Sequence, residues 1–146
     1  LSGSYPIEIG KFCPAVKVYQ QACPLWVPLI ENNEQGGPGA DYFVKKYGEA
    51  LLAQSPLIDV IILGCTHYPL LMDKLKAFFP PSIQLVSQGD IVAGSLAGYL
   101  NRHPEIESRC SKKGKVSFYT TDSTEDFDRH AAVFYGQPIH SEEVFL

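Results

Sequence analysis

The sequence predicts an α/β fold in which a parallel sheet lies between layers of helices. Uninterrupted apolar runs, of which residues 60–63 are the clearest, alternate along the chain with segments of helical periodicity. The run at residues 60–63 lacks the polar alternation of a half-exposed strand, which is typical of a central parallel strand covered on both faces. Ligands of such sheets bind at the carboxyl ends of the strands, so the functional residues are expected there.

Proline and glycine set the element boundaries in the first half of the chain. Pro24 and Pro28 exclude a central strand and predict a loop over residues 23–31. Asp41 is placed to cap a helix, and Pro56 closes it. The predicted elements are the end of a strand and a turn at residues 1–5, a strand at 16–22, a turn region at 32–39, the helix from Asp41, a strand at 58–63, a helix through 70–79 and a strand at 83–86.

The second half has fewer strong signals. Alanine and glycine in a helix over residues 90–100 indicate close packing and make this helix a candidate crossover between domains. Residues 101–114 are polar and irregular, and a strand is expected at 116–120. Ser123 is placed to cap a helix through Phe134, which Gly136 ends.

Composition limits the class of protein. The chain has 146 residues, 45% of them hydrophobic, enough for one ordinary domain or for parts of two. A net charge of −4 gives no basic surface for nucleic acid. No run approaches the roughly 20 apolar residues of a membrane helix, and the chain begins without a signal segment. We therefore expect a cytoplasmic protein with neither nucleic acid nor membrane as partner.

Of the four cysteines, Cys65 has the most reactive context. Cys13, Cys23 and Cys110 show no C-x-x-C spacing and are interpreted as packing or surface residues. Cys65 follows a buried strand and precedes Thr66, His67 and Pro69, and that proline favours the first turn of a helix. The amino end of a helix stabilises negative charge, so a thiolate or a substrate carboxylate could use this position.

Several roles for Cys65 stay open on these residues. A cysteine at a strand end is often a core residue only. A zinc site is disfavoured because Cys65 and His67 supply two ligands and no other histidine or cysteine lies at ligand spacing, so we expect no metal. A cysteine hydrolase needs a base across the pocket, whereas His67 is two residues away and is expected to point elsewhere. The third chemistry is acid/base catalysis by the thiol.

Three segments resemble the glutamate racemases. Residues 63–71, LGCTHYPLL, resemble the second catalytic-cysteine motif of that family. Residues 22–31, ACPLWVPLIE, are similar to its upstream segment ACPLFVPLVE, and residues 118–121, FYTT, to a late strand. The motifs occur in the family's order and span most of the chain. Residues 32–39 and 86–89 depart from the family pattern.

The resemblance implies a two-domain α/β racemase with its pocket between the domains. Two cysteines on opposite faces of the α-carbon would interconvert L- and D-glutamate without a cofactor, for peptidoglycan synthesis. Cys65 would be one acid/base. By the same resemblance Thr66 holds the substrate, His67 binds it or assists proton transfer, and Glu31 lies near the site as a substrate-binding residue.

The family's other cysteine, in an A-C-N-T motif, has no counterpart here, and neither Cys13 nor Cys23 replaces it. The chain therefore resembles the C-terminal half of a racemase: residues 1–89 as an N-terminally incomplete second domain and residues 90–146 as the segment that returns to the first. The partners implied are glutamate, the missing N-terminal half and, for the intact protein, a second copy in a homodimer. An aspartate-type racemase and a non-catalytic dicarboxylate-binding module are the alternatives.

Overall fold

The computed structural model describes residues 3–145, which form two compact units, one ending at Ser87 and the other beginning at Gln88. Each unit combines helices with a two-stranded parallel sheet. The predicted α/β class with parallel strands is confirmed. The assignment of residues 1–89 and 90–146 to two racemase domains stays a prediction.

In the first unit, β1 and β2 pair in parallel, with Val60 opposite Gln84 and Ile62 opposite Val86. Helices precede and follow β1, as expected from the alternating sequence pattern. The elements in chain order are α1 (Ser4–Phe12), α2 (Trp26–Glu31), α3 (Pro38–Leu52), β1 (Val60–Ile62), a 3₁₀ helix (Tyr68–Leu71), α4 (Met72–Phe78) and β2 (Gln84–Val86).

The strand predicted at residues 16–22 is wrong, because this segment is irregular. Side chains, rather than a neighbouring strand, bind two of its carbonyl groups. The Gln54 amide donates to the Gln20 carbonyl at 3.2 Å, and the Cys23 thiol donates to the Gln21 carbonyl at 3.7 Å. A β-prone sequence forms a strand only where a partner supplies the hydrogen-bond ladder.

The loop predicted at residues 23–31 is also wrong, because it contains α2. Pro28 is the third residue of this helix, within the first turn. The N–H groups of a first turn have no acceptor inside the helix, so proline removes no hydrogen bond there. Proline thus marks the beginning of this helix and does not interrupt it.

Two helix starts also differ from prediction. Gly3 precedes α1, and Ser4 and Tyr5 lie in this helix and not in a strand end. The first two residues of that prediction, Leu1 and Ser2, lie outside the described residues. Helix α3 begins at Pro38, with Gly37 extended before it, so Asp41 lies in its first turn and does not cap it.

The core of the first unit lies between α2, α3, the 3₁₀ helix and α4. Its largest fully buried side chains are Ile30, Val44, Leu71 and Leu75. The expectation that the strand run is covered on both faces is wrong within this unit. Ile61 is 9% exposed, whereas its neighbours Val60 and Ile62 are 46% and 44% exposed, so only one face of β1 is covered.

The second unit contains two further parallel strands, with Phe118 opposite Ser141 and Thr120 opposite Glu143. The strand at residues 141–143 and a short helix at 104–107 were not predicted. The elements are α5 (Gln88–Arg102), α6 (Pro104–Glu107), β3 (Phe118–Thr120), α7 (Thr124–Tyr135) and β4 (Ser141–Glu143).

Helix α7 has the ends that its sequence predicts. The Ser123 hydroxyl accepts a hydrogen bond from the Asp126 N–H at 3.3 Å, and Gly136 ends the helix with φ 76°. The prediction of close packing for α5 is wrong within its unit. None of its residues is buried, and Ile91 and Val92 are each more than half exposed. Across residues 3–145, no helix is long and apolar enough to cross a membrane.

Candidate active site

Cys65 lies in a tight loop between β1 and the 3₁₀ helix, at the carboxyl end of the strand. The Leu63 N–H still donates to the Val86 carbonyl at 2.9 Å, so pairing of the strands extends to the edge of the loop. The Tyr68 N–H then donates to the Cys65 carbonyl at 3.2 Å and closes the turn. Pro69 lies in the first turn of the 3₁₀ helix, as predicted.

The glycine before Cys65 allows a close approach by α1. A Cβ atom on Gly64 would lie 3.2 Å from the ring of Tyr5, tighter than most such contacts. A side chain at position 64 would therefore press on Tyr5 or displace the peptide that leads into Cys65.

Cys65, His67 and Glu31 form a connected series of side chains. The Cys65 sulfur lies 3.8 Å from His67 Nδ1, and His67 Nε2 lies 3.2 Å from Glu31 Oε1. Because a carboxylate only accepts hydrogen bonds, Nε2 carries a proton in this arrangement. Nδ1 then accepts from the thiol when the imidazole is neutral, or donates to the thiolate when the imidazole is charged. A proton can move between sulfur and Nδ1.

This geometry corrects one expectation and adds one contact. His67 was expected to point away from Cys65 because the two residues are so close in sequence. The turn at residues 65–68 instead folds the imidazole back to the sulfur. Glu31 was expected as a substrate ligand, and its contact with His67 was not predicted, since 36 residues separate the two.

Thr66 lies at the same loop with an exposed side chain, between the half-buried Cys65 and His67. The site therefore presents a thiol, an imidazole and a hydroxyl on consecutive residues at the end of β1. Of the four predicted residues, Cys65, Thr66 and His67 lie on this loop and Glu31 contacts it through His67. Their catalytic and substrate-binding roles stay predictions.

The remaining cysteines lie in different surroundings. Cys23 is buried, and burial raises the pKa of its thiol to about 12, so this thiol stays neutral and inert. Cys13 and Cys110 are exposed, and all four cysteines are free. The interpretation of Cys13, Cys23 and Cys110 as packing or surface residues agrees with these positions.

The cysteine loop also makes an aromatic contact that was not predicted from the sequence. Tyr68 packs edge-to-face on Trp26, with ring centroids 4.7 Å apart. Burial, together with nearby Cys23, Cys65 and Tyr47, raises the pKa of Tyr68 to about 12, so its phenol stays neutral.

Within the part of the chain that the structure describes, no three histidine, cysteine or acidic side chains group as metal ligands.

The structure of the chain is similar to solved structures of racemases. No protein-family model matches it. The chain is 26% identical to the crystal structure of glutamate racemase isoform RacE1 from Bacillus anthracis, with a TM-score of 0.84 over 99% of this chain and 53% of that one. It is 25% identical to the glutamate racemase from Francisella tularensis in complex with D-glutamate, with a TM-score of 0.82 over the same shares.

Sequence comparison finds similarity to curated glutamate racemases. The chain is 35% identical to glutamate racemase 2 of Caldanaerobacter subterraneus over 99% of its own length and 53% of that protein. It is 31% identical to glutamate racemase of Lactiplantibacillus plantarum over the same shares. The chain is thus similar to glutamate racemases, as its motifs predicted, and it spans about half the length of the curated relatives it matches.

Proposed function

We propose that this chain is the C-terminal half of a glutamate racemase and carries one side of its active site. The observation that supports this most directly is the Cys65–His67–Glu31 series at the end of β1, in a chain that matches glutamate racemases over 99% of its length. The substrate of the proposed reaction is glutamate, and the reaction inverts its α-carbon without a cofactor.

In this mechanism the Cys65 thiolate removes the α-proton from one enantiomer. The C–H bond breaks, an S–H bond forms, and the electron pair stays on the α-carbon. A second thiol on the opposite face then donates its proton to that carbon. In the reverse direction Cys65 is the donor. Thiols suit both roles because the pocket can bring their acidity close to neutral pH.

His67 and Glu31 prepare Cys65 for each half of this cycle. His67 Nδ1 faces the sulfur, where it can take the thiol proton and return it. Glu31 holds the Nε2–H and stabilises the imidazole when it is charged. Thr66 is exposed beside them, and we assign it to the substrate through its hydroxyl or backbone.

The second thiol and the rest of the pocket must come from another segment, which we propose to be the N-terminal half of the same protein. The first unit has room for additional chain. A cavity of about 1070 Å³ lies between residues 16–24 and residues 57–64, and one face of β1 is uncovered. A two-stranded parallel sheet is seldom stable without further cover. We further propose a cytoplasmic homodimer that feeds peptidoglycan synthesis.

The chain of 146 residues by itself is expected to show no measurable racemisation, because removal of a proton from one face cannot invert the α-carbon without a donor opposite. Incubation with L-glutamate, followed by circular dichroism, measures this. Co-expression with an N-terminal half that contains the A-C-N-T motif should restore the conversion. D-glutamate formed at full rate by the chain alone would refute the two-cysteine mechanism.

The same assay separates the alternatives. Preferential turnover of aspartate by the completed protein would indicate an aspartate-type racemase. Saturable glutamate binding without exchange of the α-proton with solvent would indicate a binding module.

In the completed protein, His67→Asn is expected to slow turnover more for the enantiomer whose proton Cys65 removes. The Haldane relation requires equal losses in kcat/KM for both directions, because enantiomers have equal free energies. The asymmetry must appear in kcat and in the deuterium isotope effects. Equal changes for L- and D-glutamate would reduce His67 to anchoring the substrate or packing the loop.

A further inference from the structure

Helix α2 contacts the cysteine loop at both of its ends. Its last residue, Glu31, lies 3.2 Å from His67 Nε2. Its first residue, Trp26, packs on Tyr68, the next residue of the loop, with an angle of 82° between the rings. A helix of six residues spans about 9 Å, so the two contacts lie at opposite ends of one short helix. Both contacts therefore depend on one element.

Trp26 is itself buried and packed against a second aromatic ring. It is 5% exposed, and its ring also meets that of Tyr47 on α3, with centroids 6.0 Å apart. Among residues 3–145, the Trp26 indole N–H has no hydrogen-bond partner. The contact with Tyr68 thus rests on the packing of the rings, and edge-to-face geometry gives it a preferred orientation.

Tyr68 transmits this packing to the backbone of the loop. Its N–H bonds to the Cys65 carbonyl, and the Leu70 N–H bonds to the His67 carbonyl at 3.0 Å. A shift of the Tyr68 ring would therefore turn the peptides on both sides of His67, and the imidazole would move with them.

We propose that Trp26 and Tyr68 are positioning residues that fix the loop so that His67 meets Glu31 and Cys65 at the same time. This inference rests on the proposed function, since it concerns the same site. Helix α2 supplies the acceptor for His67 at one end and the aromatic support for its backbone at the other. Neither aromatic residue touches the reacting atoms in this assignment.

Exchange of the His67 Nε2 proton with water tests the proposal without any measurement of turnover. In protein labelled with ¹⁵N-histidine, the bond to Glu31 should protect this proton, and Glu31→Gln identifies its signal. Trp26→Leu is expected to raise the exchange rate about five-fold, the scale of a lost edge-to-face pair. Trp26→Phe keeps a ring in the core and should raise the exchange rate less. It replaces Trp26→Leu in the experiment if the leucine variant does not fold.

Phe78→Leu is the matched control. Phe78 makes a ring pair of similar geometry with Phe79, at 4.9 Å and 84°, but at the end of α4 away from the loop. This variant should lose comparable stability and keep the wild-type exchange rate at His67. Wild-type exchange in a folded Trp26 variant, or an equal increase in Phe78→Leu, would overturn the positioning role. If the completed protein does not racemise glutamate, the proton-exchange result at His67 still stands. The positioning role and the proposed racemase function are therefore tested independently.

Discussion

Cys65→Ser in the completed racemase is expected to lower the racemisation rate by about 10²–10⁴-fold, the usual contribution of a general acid or base. Serine is nearly isosteric with cysteine, but its hydroxyl is a far weaker acid and cannot exchange a proton with the α-carbon in the same way. Circular dichroism with L- and D-glutamate measures the loss in each direction, and the far-ultraviolet spectrum checks the fold.

Cys110→Ser is the control for this substitution. Cys110 is exposed, and its thiol contacts the Ile106 carbonyl one turn earlier, so serine should leave both rate and stability nearly unchanged. Equal losses from the two substitutions would argue against a catalytic thiol at position 65. A Cys65→Ser protein that fails to fold would instead make Cys65 a core residue.

Leu75→Ala is expected to lower the free energy of unfolding of the first unit by about 2–5 kcal/mol. Leu75 is 0% exposed and lies on α4, in the core that packs against α2 and α3. Alanine would remove buried apolar contacts and leave a cavity that the neighbouring helices fill only in part. Urea denaturation, followed by the fluorescence of the single tryptophan, Trp26, reports on this unit.

Lys76→Ala on the same helix gives the comparison. Lys76 is exposed, so its replacement should change the free energy of unfolding by less than about 0.5 kcal/mol. A Leu75→Ala protein as stable as Lys76→Ala would contradict the core described for this unit.

Local signals in the sequence predicted the structure correctly where it depends on residues that are neighbours along the chain. Ser123 and Gly136 set the ends of α7 because capping and a left-handed backbone act within a few residues. The placement of Cys65 between a strand and a helix followed in the same way, from the apolar run before it and Pro69 after it.

Contacts between distant segments could not be read from those signals. Residues 16–22 have the composition of a strand, but they lack a partner to complete the ladder and stay irregular. Helix α5 has the small residues of a packed helix, but none of its residues is buried within its own unit. In both segments, the propensity of the residues describes which secondary structure they tolerate. Burial and strand pairing decide which structure and packing the segment adopts.

The sequence by itself determined the class of fold, the parallel strands and the cysteine loop with Cys65, Thr66 and His67. Only the tertiary structure decided that Glu31 binds His67, that the imidazole turns back to the sulfur, and that Trp26 packs beneath Tyr68. The physical reason is that backbone preferences and apolar periodicity are local properties. Glu31 and His67 are 36 residues apart in sequence, and their contact depends on how α2 packs against the loop.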